Sequence, residues 1–348
     1  MKIKDLKPDK ALASLGNETV KVVIKLENGE VAEVSIPSGI SAGKYEARKI
    51  PADEAIYQIQ KIKHLILNHD WTQEKLDAYL SDLSLGANAS LAISASFWKA
   101  TSRIKHKQKL KFPKLMLLLF EGGKHGNPNI SMQEFMIIEA SLKDAIEDFR
   151  RLRDFLEKKG LESTVGAEGG FSPLSFNDIQ ALKTIEKIFQ NKQIALDAAA
   201  SFKKGTIPNY DLILSEYKIS SLEDPFSDEE WDLWIDFCSK FGKKIMIVGD
   251  DLTATNPERI NKAITLGAIN AVVIKPNQNG TISGTIKAVE IAKKGNIKVV
   301  VSHRGEETID NWIVDFAIKI EADFVKFGGI DRGERIAKYN RLSELGMV

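Results

Sequence analysis

The sequence contains one cysteine, Cys238, in 348 residues, so neither an intrachain disulfide nor a cysteine-ligated zinc site is available to it. Charge of either sign is not in excess, with 49 Lys and Arg against 48 Asp and Glu. That balance gives no electrostatic case for nucleic acid or for an acidic membrane surface. Long apolar runs are missing as well. The longest, LMLLLF at 115–120, is far too short to span a bilayer. The opening MKIKDLKPDK carries charges where a secretory signal would have an apolar core. With an apolar fraction of 43%, a globular cytoplasmic protein is the expectation, with no membrane or nucleic-acid partner.

What is present falls into two textures. TVKVVIKL and EVAEVSIP alternate in strand fashion around a turn at Glu27-Asn28-Gly29. Residues 53 to about 108 read as helical, including the small-residue stretch GANASLAISASFWKA, which suits close helix packing. From about residue 112, short apolar runs alternate with amphipathic segments such as DAIEDFRRLRDFLEKKG and ATNPERINKAITLG. Such βαβα alternation predicts a parallel sheet covered on both faces. The expected division is an α+β unit over 1–110 and a barrel-forming unit over 111–348.

The second unit repeats a pattern. QIALD ends on Asp197, KISSLED on Glu223 and Asp224, and KKIMIVGDD on Asp250 and Asp251; INAVVIK ends on Lys275, IKVVVSHR on His303 and Arg304, and ADFVKFG carries Lys326. The steps are roughly 25 residues, one strand plus one helix. In a (β/α)8 barrel the carboxyl ends of the strands share one face, so these groups would converge. One charged strand end is ordinarily just solvated; the repetition is what favours a site. Asp197, Glu223 and Asp250 form an all-oxygen set suited to a hard cation, with Mg2+ the natural choice. Lys275 and Lys326 are expected opposite them, pushed towards the neutral form that a general base requires. Carboxylates holding Mg2+ opposite lysines suggest removal of a carbon-bound proton beside a carboxylate.

At this point a resemblance becomes specific. SLGNETV, PSGISAGKYEA, LGANASLAIS, HGNPNISMQEFMI, VGAEGGFSP, LDAAAS, SLEDPF, VGDDLTATNP, IKPNQNGT, VSHRGEET and RGERIAKYN resemble, in order, the motif blocks of the enolase family. The resemblance implies a (β/α)8 TIM-type barrel with modified first strands behind an α+β capping domain. It implies dehydration of 2-phosphoglycerate to phosphoenolpyruvate, a lyase step of glycolysis, by a homodimer using two Mg2+ per site. Asp197, Glu223 and Asp250 would hold the first ion and Ser41 would help hold the second. Lys275 would be the base and Glu168 the acid, assisted by Glu134. Lys326 would face the substrate carboxylate, the Ser302–Gly305 stretch with His303 and Arg304 the phosphate, and His125 would close over the site.

The departures from that pattern are also informative. Ala167 stands where an aspartate usually precedes the acid, Gly305 where a serine follows His-Arg, Leu15 where an arginine is usual, Ser84 for a lysine, and Glu121 for an asparagine. The stretch between Asp197 and Glu223 is short, with most of a loop and a barrel helix expected to be lost. Gly305 motivates an alternative, a related dehydratase acting on another 2-substituted acid; a non-catalytic enolase-like protein is the third reading. Two other signals are set aside. SGISAGK has the wrong glycine spacing for a phosphate loop and Tyr45 in place of Ser or Thr. The basic stretch KATSRIKHKQKLKFPK has few aromatics to stack bases.

Overall fold

The computed structural model describes residues 1–40, 43–104, 110–202 and 209–348. Ser41, and residues 105–109 of the basic stretch, lie outside the described residues. The alternation in TVKVVIKL forms the middle strand of a three-stranded antiparallel sheet, β1 (Ile3–Leu12), β2 (Glu18–Leu26) and β3 (Val31–Ser35). Val20, Val22, Ile24 and Leu26 are buried on one face, the period-2 pattern of a half-covered sheet. Gly29, at φ 86°, supplies the left-handed residue that the β2–β3 turn requires.

Helices α1 (Ala52–Ile66) and α3 (Ala87–Thr101) cover that face, and α2 (Gln73–Asp82), between them in the chain, packs against α3. On α1, Ala55, Ile59, Ile62 and Ile66 recur at helical spacing and are buried. Helix α3 is buried on nearly every side because it is wedged between sheet and barrel. Ser96 Oγ donates to Val22 O on the sheet, and Ser94 Oγ accepts from Ile282 N on the barrel side. Its small side chains permit both approaches.

The remaining strands close into a barrel: β4 (Lys114–Glu121), β5 (Glu134–Glu139), β6 (Ile194–Asp197), β7 (Ile219–Glu223), β8 (Met246–Gly249), β9 (Ala271–Ile274), β10 (Lys298–Ser302) and β11 (Phe324–Lys326). Strand β5 runs antiparallel to β4 and to β6, while the other neighbours are parallel, which is the modified start expected. Met116, Leu118, Met136, Ala195, Val248, Ala271, Val273 and Val300 pack inside the barrel, so it is a filled core rather than a channel. Outside lie α4 (Leu142–Lys158), α5 (Asp178–Ile188), α6 (Tyr210–Glu216), α7 (Trp231–Phe241) and α8 (Pro257–Thr265). They are followed by α9 (Pro276–Asn279), α10 (Ile282–Lys294), α11 (Trp312–Lys319) and α12 (Gly333–Glu344). Between Asp197 and Glu223 the loss is smaller than expected. The seven-residue α6 survives, capped by Asn209 and packed through Tyr210 against Phe226 and Phe237.

The N-terminal unit sits on the loop that follows β10. Asn17 donates to Glu306 at 2.6 Å, Ser14 N to Glu307 O at 2.7 Å, and Ser35 N to Asp310 at 3.0 Å. Strands β1 to β3 are thereby anchored beside the barrel rim where the ionisable groups gather.

Candidate active site

Register puts the acidic groups in one row. Glu121 is opposite Glu134, Glu134 opposite Asp197, and Asp197 opposite Glu223. Because β5 is antiparallel, its first residue reaches the rim that the other strands reach with their last. Residues directly opposite share a face, so Glu134, Asp197 and Glu223 point together into the barrel mouth.

Lys326 occupies the centre of that group. Its Nζ lies 2.7 Å from Glu134, 3.2 Å from Asp197 and 2.7 Å from Glu223, and all four side chains are buried. Lys275, from the end of β9, is ion-paired with Asp250 at the end of β8. Gln278 donates to the other Asp250 oxygen at 3.2 Å. The lysines therefore stand among the carboxylates, not across the rim as expected. Their proton affinities follow. Burial pulls both ammonium groups down, but the adjoining carboxylates outweigh it and raise them, Lys326 strongly, so neither lysine is pushed towards the neutral form expected from the sequence. The physical reason is mutual: burial pushes the Glu134 and Glu223 carboxyls well up, and Lys326 opposes that push.

Asp224 has a different duty from Glu223. With φ 43° its backbone turns sharply, and its carboxylate accepts Asp250 N at 3.0 Å and Asp251 N at 2.8 Å. It fixes the neighbouring strand end. The paired acids of SLEDPF thus divide into one that holds Lys326 and one that braces β8. The carboxylates form two close groups, Glu134 with Asp197 and Glu223, and Asp250 with Asp224 and Asp251. Asp250 thus falls into a separate group from Asp197 and Glu223, its expected co-ligands.

A second centre surrounds Glu168, at the tip of the 165–171 loop. His125 Nδ1 is 3.2 Å from Glu168 Oε1, and His303 Nε2 is 3.7 Å from Oε2. Burial pushes the Glu168 carboxyl up, but the two imidazoles overcome it and hold it well below the usual range. Burial pulls His125 down, and the Glu168 charge more than restores it. His303 is pushed well down by burial and by Arg335. Neither His125 nor Glu168 is an exposed loop residue.

Arg304 holds a bidentate pair with Glu46, at 3.0 and 3.1 Å, and donates to Asn277 at 3.0 Å. Gly39 passes close above it, since a Cβ there would lie 2.6 Å from the guanidinium. Ser302 donates to His303 O at 2.9 Å. Both centres open on one cavity of about 40 Å3, lined by His125, Glu134, Glu168, Asp197, Asp250, Lys275, Ser302, His303, Arg304, Gly305 and Lys326. Of the predicted residues, Glu223 lies behind Lys326, and Ser41 is outside the described residues. Asp224 and Asp251, named from the sequence only as strand ends, also line the cavity, as do Glu46, Gln133 and Ile40, which were not singled out. Asp251 was legible as the second acid of VGDD, and Glu46 sits in the PSGISAGKYEA block, but neither announces its partner.

The donor chemistry fits a hard dication. Every carboxylate at the centre offers oxygen only, and the first group already encloses a cationic head in Lys326.

A closed eight-stranded barrel with an acid-and-amine rim and a capping antiparallel sheet defines a class of α/β-barrel proteins whose sites lie at the strand ends. The family models agree. The enolase N-terminal domain matches residues 3–112, and the enolase C-terminal TIM barrel domain matches 109–214 and 203–346. The chain belongs to the enolase family. No helix among the described residues is long and apolar enough to cross a membrane.

Proposed function

We propose that this protein is a Mg2+-dependent phosphopyruvate hydratase, a lyase that removes water from 2-phosphoglycerate. The observation that carries the reading is the meeting, on one cavity, of the Lys275 amine, a carboxylate–imidazole pair and an arginine suited to an anion. In this reading Lys275 Nζ takes the C2 proton, and the electron pair moves into the carbon framework beside the substrate carboxylate. The C3–O bond then breaks, and the departing hydroxide leaves as water with a proton supplied by the Glu168–His125 pair. Lys326 faces the substrate carboxylate as its charge grows. Arg304, released from Glu46, receives the phosphate bidentately. Asp197, Glu223 and Asp250, though divided between two groups in this structure, would together hold Mg2+, which when bound supplies Lewis-acid stabilisation of the developing negative charge.

One observation favours the second reading, a dehydratase for another 2-substituted acid. Gly305 offers no hydroxyl, and a Cβ there would lie 2.9 Å from both Glu168 Oε1 and Ile40 Cδ1, so the phosphate end is narrower and more apolar. The absorbance of phosphoenolpyruvate on mixing protein, 2-phosphoglycerate and Mg2+ decides between them. We expect turnover that EDTA abolishes and Mg2+ restores. No product at generous protein concentration would retire the first reading, and an EDTA-insensitive rate would remove the metal from it.

A further inference from the structure

Glu121 is a fully buried carboxyl group that does not line the cavity. It sits at the end of β4 through a local irregularity. Leu118 pairs with Met136 but Phe120 with Phe135, so one extra residue is accommodated between them. Leu118 packs inside the barrel. Strict alternation from there would turn Glu121 outward, whereas the bulge brings it to the face of Glu134. Bulges that re-aim one side chain beside a rim are devices rather than defects.

The redirected carboxyl meets backbone. Glu121 Oε1 and Oε2 accept Glu168 N at 3.2 and 3.1 Å, and Oε2 accepts Gly170 N at 2.9 Å. The turn is shaped to admit it: a Cβ on Gly166 would collide with Glu121 Oε1, and one on Gly170 would lie 3.2 Å from Oε2. The same strand end ties down the loop carrying His125. Glu121 O accepts Asn127 N at 3.3 Å and Ser172 Oγ at 3.0 Å, and Ala167 N donates to His125 O at 2.9 Å.

We propose that Glu121 is a positioning residue for Glu168: by gripping the amides of residues 168 and 170 it fixes the turn that aims the Glu168 side chain between His125 and His303. A glutamine of the same shape has one acceptor oxygen, so its amide NH2 would confront one of the gripped N–H groups. The turn would loosen while the cavity kept all its groups. The inference rests on the proposed dehydration only for its kinetic consequence; the grip itself is testable without turnover.

Two measurements on Glu121→Gln and on Glu121→Asp, which keeps the carboxyl group but shortens the reach, test it. In amide hydrogen exchange of the intact protein, the segment 165–171 should lose protection in both variants while the barrel strands keep theirs. In kinetics, phosphoenolpyruvate formation should lose kcat by on the order of 10- to 100-fold with KM changed less than about threefold. Exchange of the C2 hydrogen of 2-phosphoglycerate with D2O, which needs Lys275 but not Glu168, should continue near the parent rate. Unchanged protection over 165–171 would overturn the proposal, as would an unchanged kcat or a matching loss of C2 exchange. If the parent protein does not turn over 2-phosphoglycerate, the functional reading fails by itself, and the amide-exchange comparison still decides the grip.

Discussion

Gly305 carries a consequence out of proportion to its size. Its nearest neighbours on the side where a Cβ would stand are Glu168 Oε1 and Ile40, both 2.9 Å away, so a serine there is overpacked against the Ile40 side chain and the acid together. Overpacking typically costs about 1–3 kcal/mol. We expect Gly305→Ser alone to lower kcat/KM roughly 10-fold or more in the phosphoenolpyruvate assay, and the double variant with Ile40→Ala to recover most of the loss. A single variant as active as the parent would show that the two positions are not matched. Residues of this kind mark where sequence reading stops. Lys275, Asp197 and Glu223 announce themselves by ending apolar runs. Asp224, Glu46 and Glu121 act on groups far away in the chain, namely two amides of the next strand end, a guanidinium from another loop, and the turn beneath Glu168. No spacing rule records such partners.

Helix α12 ties the loop bearing Glu168 to the loop that carries Arg304. Arg335, fully buried near its start, donates to Arg304 O at 2.7 Å, Gly305 O at 2.6 Å and Ala167 O at 3.2 Å. One planar fork therefore joins the loop after β10 to the loop bearing Glu168. Lysine keeps the charge but cannot present that fork. Arg335→Lys should destabilise the protein by roughly 2–4 kcal/mol, since buried carbonyls lose their donors. Chemical denaturation measures this, and a loss under about 0.5 kcal/mol, the level of an ordinary surface change, would contradict the clamp. Elements were the most legible scale. The strand alternation of TVKVVIKL and the helical spacing on α1 follow directly from which side chains are apolar. The survival of α6 was not legible, because a seven-residue helix held by Asn209 and the packing of Tyr210 leaves little periodic signal. Nor was the bulge in β4, since it shifts pairing without altering composition.

For the whole molecule, the barrel was legible from the recurrence of apolar runs ending in ionisable groups, because closure turns a linear period into a ring. The pairing inside the ring was not. Buried carboxylates and buried amines seek each other, so Lys326 lies among Glu134, Asp197 and Glu223, and Lys275 beside Asp250. In the proposed reaction the same closeness would let a dication, a base and a charge-bearing lysine act on one small acid. The central claim is that Lys275 removes the C2 proton, and the most direct test is release of label from 2-phosphoglycerate deuterated at C2, in the presence of Mg2+, by the parent and by Lys275→Ala. The account expects the parent to release the label to solvent and Lys275→Ala to release it at least about 1,000-fold more slowly, a barrier increase of roughly 4 kcal/mol, with its barrel fold intact by circular dichroism. Release by Lys275→Ala at the parent rate would contradict it.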